Sequence, residues 1–319
     1  MSLLASDYRP PILFRNGHLS TIYSALLRRV PAPEPERERL ELPDGDFLDL
    51  DWTKSAEPTR DAIVLLHGLE GNASRPYMAG SALLFSQRGY DVCGVNLRGC
   101  SGEPNRLFRS YHSGATEDLA AVVAHLERLG RYDRIYLKGF SLGGNLILKY
   151  LGELGGEARI TAAVAISVPC DLHDSLLQLN MPKNLLYARR FLRNLKDKLR
   201  LKRERFPEQL PPATIRKIRT LKDFDDLYTS RAHGFKDALD YYARCSSKPL
   251  LPRITVPTLL LNAQNDSFLG EKCYPVAECS NHPWLHLERP AAGGHVGFYL
   301  PGKHYYNEVR ALQFLGEYR

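Results

Sequence analysis

Residues Arg134 to Tyr150 read RIYLKGFSLGGNLILKY. The β-prone run Ile135-Tyr136-Leu137 precedes a helix-prone run from Asn145 to Leu151. Between them stands Gly139-Phe140-Ser141-Leu142-Gly143, a G-x-S-x-G pattern in the strand–turn–helix context that a nucleophile elbow needs. Ser141 would sit on a sharp turn with strained backbone angles. The flanking glycines, with Gly144, would let strand and helix approach closely. The helix start supplies free N–H groups and a dipole that favour developing negative charge. Without partners for Ser141, the motif would be no more than a glycine-rich turn before a helix.

The chain around this stretch alternates strands and helices. Ala62 to Leu66 is a continuous apolar run, as expected of a strand buried on both faces. A helix over Pro76 to Arg88, a strand over Asp91 to Leu97 and a helix over Ser113 to Leu129 follow. In the last of these, positions 119, 122, 123 and 126 share one apolar face, and Ser113 is the expected N-cap. After the elbow comes the apolar run Ile160 to Val168. This alternation predicts an α/β fold with a mostly parallel, doubly wound sheet. Upstream, Arg39 to Leu42 and Phe47 to Trp52 alternate around Pro43-Asp44-Gly45, a hairpin signal. Residues 1–36 read as an irregular leader with one short helix, His18 to Arg28, and a break at Pro31 to Pro35.

The alternation stops at Pro169, and about 170–252 read as helices only. We expect a helical cap inserted into one domain spanning 1–319. The pattern resumes with Thr258 to Leu261, Trp284 to Leu287 and a last helix, His304 to Tyr318.

A serine nucleophile needs a base, an orienting carboxylate and an oxyanion hole. The chain order that accompanies this elbow is serine, acid, histidine. Asp266 lies in a turn-rich loop straight after an apolar strand, at the carboxyl edge of the predicted sheet. Asp171 competes from the end of the preceding strand, but reads better as the start of the cap. His295 follows the last strand directly, among glycines; its rivals precede that strand (His282), lie within it (His286) or open the final helix (His304). The oxyanion donors would be the N–H groups of Leu142, after the serine, and Leu69, in the His67-Gly68 loop after the Ala62–Leu66 strand. His67 reads as a brace for that loop.

The 319 residues carry a formal charge of +7, which alone names no partner. Six scattered cysteines form no C-x-x-C pair, so no zinc site, metal or cofactor is expected; reduced thiols fit a cytoplasmic setting. The N-terminus lacks a secretory pattern, and no apolar run is long enough for a bilayer helix. The basic charge lacks the interleaved aromatics of a nucleic-acid binder.

Six segments, PPILFRNGHLST (10–21), HGLEGN (67–72), NLRGCSGEPNRLFRSYHSGATED (96–118), GFSLGGN (139–145), NAQNDSF (262–268) and GGHVGF (293–298), occur in order over most of the chain. With them the chain resembles the YheT-like branch of the α/β-hydrolases. The resemblance implies hydrolysis of short- or medium-chain acyl esters and supports Ser141, Asp266 and His295 as the triad. Within the same fold, phospholipid hydrolysis and acyl transfer to alcohols are the alternatives, and a non-catalytic binding protein is the reading from another class. Arg98 is expected to pair with Asp118 or Glu117, and Glu103 and Asn105 to fill turn roles. The basic segment Lys183 to Arg219 is either a solvated helical surface or a weak contact for anionic lipid.

Overall fold

The computed structural model describes residues 2–31 and 34–319. Residues 32 and 33 of the expected Pro31–Pro35 break therefore lie outside it. Nine strands form one sheet among the described residues: β1 (Leu3–Leu4), β2 (Glu36–Glu41), β3 (Phe47–Thr53), β4 (Asp61–Leu66), β5 (Asp91–Asn96), β6 (Arg134–Phe140), β7 (Ala162–Ile166), β8 (Thr258–Leu261) and β9 (Leu285–Glu288). Their order is β1-β9-β8-β7-β6-β4-β5-β3-β2. Strand β3 is antiparallel to both neighbours, β2 and β5, while every other pair is parallel. The mostly parallel sheet of the sequence reading is thus the observed one. The registers Leu66↔Gly139, Phe140↔Ile166 and Ile166↔Leu261 bring the carboxyl ends of β4, β6, β7 and β8 level. Loops leaving those ends converge on one edge, where open α/β sheets build their sites.

The helices are α1 (Gly17–Ile22), α2 (Pro76–Ser86), α3 (Thr116–Arg128), α4 (Leu142–Leu154), α5 (Leu172–Leu179), α6 (Leu185–Arg205), α7 (Pro212–Lys217), α8 (Leu221–Phe224), α9 (Ser230–His233), α10 (Ala238–Cys245), α11 (Val276–Cys279) and α12 (Tyr306–Gly316). Alternate side chains of the central strands enter opposite faces of the sheet. Val64 and Leu66 pack with α3 and α4, whereas Ile63 and Leu65 pack with α2 and α12. Helices α5 to α10 leave the sheet between β7 and β8 and hold their own apolar cluster, which includes Leu176, Leu199, Phe224 and Tyr241.

Two local expectations change. The N-terminal segment is more than a leader with one helix. Its strand β1 pairs with β9, and Tyr8 is buried against the core. A two-residue strand shows no periodicity, so sequence patterning missed it. Ser113 is not the cap of α3. That helix starts at Thr116 behind Ala115, with no side-chain cap, and the Ser113 N–H donates to Tyr241 Oη instead (3.0 Å).

Candidate active site

Ser141 follows β6 with φ +52° and ψ −119°, a backbone conformation that side chains rarely adopt. Its N–H donates to Ile166 O (2.8 Å), and its carbonyl accepts from Asn145 N (3.0 Å), which fixes the turn to β7 and α4. The glycines give the necessary clearance. A Cβ at Gly143 would lie 2.5 Å from Leu66 O and 2.7 Å from His67 O, and one at Gly139 would collide with the Gly143 carbonyl.

The structure brings together the three side chains singled out in the sequence. Ser141 Oγ lies 2.9 Å from His295 Nε2, and His295 Nδ1 lies 2.8 Å from Asp266 Oδ2. The second Asp266 oxygen accepts from Phe268 N (2.9 Å), and the carboxylate is fully covered. With Nδ1–H donating to Asp266, Nε2 faces Ser141 as an acceptor. Phe268 lies over the imidazole with ring centroids 4.4 Å apart. Asp171 is elsewhere in role: it caps α5 by accepting Asp174 N. His282 accepts from its own turn, and His304 lies by Glu308, both away from Ser141.

The histidine loop needs unusual backbone, with positive φ at Gly293, Gly294, Val296 and Phe298. Four outside hydroxyls hold it, one of them Ser24 Oγ, which donates to Gly297 O (3.2 Å). Thr21 Oγ1 accepts His295 N (2.8 Å), Ser20 Oγ donates to Gly293 O (2.9 Å), and Ser167 Oγ accepts Val296 N (2.9 Å). Asn265 links the acid loop to it by accepting Gly294 N (2.9 Å). Ser20 and Thr21 come from α1 and were not among the expected site residues. Nothing in spacing could have placed a helix from the N-terminus against a loop near the C-terminus.

Leu69 and Leu142 line the same cavity as Ser141 and His295. Leu142 opens α4, where first-turn N–H groups lack intrahelical acceptors. The Leu69 loop is fixed from both sides. Buried His67 donates from Nδ1 to Gly68 O (2.8 Å) and accepts Leu97 N at Nε2 (3.2 Å), and burial pushes its pKa down to about 4, so it braces as a neutral ring. Glu70, at φ +55°, donates its N–H to Tyr111 Oη (2.9 Å) and receives that hydroxyl at Oε1 (2.7 Å). Lys198 Nζ of α6 donates to the same carboxylate (3.0 Å), joining the inserted helices to this loop. Glu70, Tyr111 and Lys198 were absent from the sequence-derived site. Arg98 pairs with Asp118 as expected (2.7 Å) and also meets Asp44 (2.8 Å) and Asp46 (3.2 Å). Asn105 does more than turn the chain, since its Nδ2 donates to Asp46 Oδ1 (2.8 Å).

The cavity over Ser141 measures about 450 Å³. Leucine and aromatic side chains of α5, α6 and α8 form much of its wall, with Arg190, Lys198 and Lys202 along α6. An apolar chamber with a few convergent polar groups suits a small apolar ligand.

Known proteins resemble the chain at both levels. The profile of the family described as alpha/beta hydrolase fold matches residues 61–301. A candidate esterase of Escherichia coli K12, YheT, is 38% identical over 92% of this chain and 87% of its own. Phospholipase ABHD3 of Homo sapiens is 28% identical over 93% of this chain and 74% of its own. An esterase structure from Pyrococcus furiosus superposes with a TM-score of 0.60 at 18% identity, over 91% of this chain and 98% of that one.

Proposed function

The chain belongs to the α/β-hydrolase family, and from that premise we propose that it is a serine carboxylic-ester hydrolase of short- to medium-chain acyl esters. The observation that carries this reading is the relay from Ser141 Oγ to His295 Nε2 (2.9 Å) and from His295 Nδ1 to Asp266 Oδ2 (2.8 Å). We read all 319 residues as one hydrolase domain, with about 170–252 as its cap.

In this reading, His295 Nε2 takes the Ser141 proton as Oγ attacks the ester carbonyl. The carbonyl oxygen becomes an oxyanion, held by the N–H groups of Leu69 and Leu142. Asp266 stabilises the imidazolium without taking its proton. Collapse breaks the ester C–O bond, and the leaving alcohol receives the proton from His295. Water then attacks the acyl-Ser141 carbonyl, giving its proton to His295. The second collapse releases the acid and returns the proton to Ser141. Relatives named as a candidate esterase and a phospholipase fit an ester substrate, and the apolar wall fits an acyl chain.

The experiment is pre-steady-state hydrolysis of a series of p-nitrophenyl esters of increasing acyl length. A burst of p-nitrophenol equal to the enzyme present, absent in Ser141→Ala, is expected. A Ser141→Ala protein with unchanged turnover would refute the reading.

A further inference from the structure

An uncovered apolar face borders the cavity on the side where exposed Ile22 and Leu26 belong to its lining. Ile12 and Leu13 are 79% and 71% exposed, Leu26 and Leu27 are 50% and 60% exposed, and Leu186 is 79% exposed. Single exposed leucines are ordinary, but a contiguous group marks an interaction surface. These are contiguous. The turn Ile12–Arg15 runs into α1, which continues as Tyr23–Leu27. His18 of α1 stacks on Tyr187 with centroids 5.7 Å apart, and its Nδ1 lies 3.1 Å from the Tyr187 hydroxyl. That contact sets α1 beside the start of α6, next to Leu186. Ile22, Leu26 and Tyr187 also line the cavity, so the apolar rim leads into the chamber over Ser141.

Charge narrows the occupant. Neither 8–33 nor 175–196 contains an aspartate or glutamate. Arg15, Arg29, Lys183, Arg189 and Arg193 of these segments are all exposed. A second copy of the chain would oppose two cationic faces that lack carboxylates, and like charges repel. Apolar side chains ringed by cations suit the boundary between anionic headgroups and acyl chains. Among the described residues no helix is long and apolar enough to cross a membrane.

We propose that the face built from Ile12–Leu27 and the start of α6 docks on an anionic lipid surface, with the cavity mouth turned toward it. Ester substrate would then enter from the lipid rather than from water. The delivery half rests on the esterase reading above; the docking half does not.

Flotation of the full chain with vesicles tests it. Phosphatidylcholine vesicles are compared with vesicles that also contain phosphatidylglycerol, at low and high salt. Wild type and Ser141→Ala are expected to float only with the anionic vesicles and to be released by salt. The variant Ile12→Glu/Leu13→Glu/Leu186→Glu should lower vesicle partition at least about tenfold. Arg15→Glu/Arg189→Glu/Arg193→Glu should lower it roughly a hundredfold. None of these six residues lines the cavity, so turnover of a water-soluble p-nitrophenyl ester should stay at the wild-type level in both variants, which also reports an intact fold. Wild type that ignores anionic vesicles at low salt would overturn the proposal, as would variants that float like wild type. Apolar substitutions that only convert a dimer to a monomer would assign the face to a second copy and overturn it too. Flotation without ester hydrolysis by wild type would leave docking standing and remove the esterase reading.

Discussion

Thr21 Oγ1 accepts the backbone N–H of His295 across 2.8 Å while donating to Gly17 O at 2.7 Å. The N-terminal helix thereby holds the loop of the proposed base at one fixed hydroxyl. Thr21→Val keeps the shape but leaves that N–H without its acceptor. Misplacing a reacting group is costly, so kcat should fall about tenfold or more with KM little changed. Thr21→Ser should restore most of it. Steady-state kinetics on one ester checks both.

The Tyr111 hydroxyl ties both the N–H and the carboxylate of Glu70, the residue after Leu69. Tyr111→Phe should loosen the proposed oxyanion loop and lower kcat roughly 10- to 100-fold. Losing an oxyanion donor outright costs about 100- to 1,000-fold. Lys198→Met should act in the same direction, because the cap's tie to Glu70 is cut. Equal loss of activity and thermal stability would show instead that these residues serve the fold alone.

Much of this arrangement was readable from the chain, for identifiable reasons. The elbow, Asp266 and His295 each follow a strand, and a parallel sheet sends such loops to one edge, where the three side chains come within hydrogen-bond distance. Helix α1 was visible as a short helix, but its use as a clamp depends on a contact between residues 21 and 295. Lys198 looked like one basic residue among many, because pairing across the cavity to Glu70 leaves no periodic trace. Ser113 is not the cap because α3 starts only at Thr116, behind Ala115, beyond reach of the position that the serine pattern suggested.

Arg98 neutralises a buried site by pairing with Asp118, Asp44 and Asp46. Arg98→Met would leave those carboxylates facing one another with their cation gone. Removal of one partner from a buried pair typically costs about 3–5 kcal/mol. Urea unfolding should show a loss of that size, and a change below about 1 kcal/mol would mean that the site rehydrates freely.

Lys138 of β6 lies wholly inside the fold, donating to Ser81 Oγ (2.9 Å) and Asn307 O (3.2 Å). Burial lowers its pKa from 10.5 to about 7. Between those values the unfolded chain holds the proton that the folded chain has lost, so this residue makes stability rise with pH through that window. Below about 7 both states are protonated, and the cost of burying the charge is present in full. Stability of Lys138→Met minus that of wild type should therefore decline steadily from pH 7 toward pH 10. Denaturant titrations at several pH values measure that difference, and a pH-independent difference would contradict the assignment.

In the proposed mechanism Ser141 carries the acyl group. Rapid acid quench during turnover of a p-nitrophenyl ester, followed by peptide mass analysis, tests it directly. The acyl mass is expected on the peptide containing Ser141 in wild type. In Ser141→Ala no acyl peptide should appear, and turnover should fall at least roughly a thousandfold. An acyl group on any other residue, or wild-type turnover in Ser141→Ala, would contradict it.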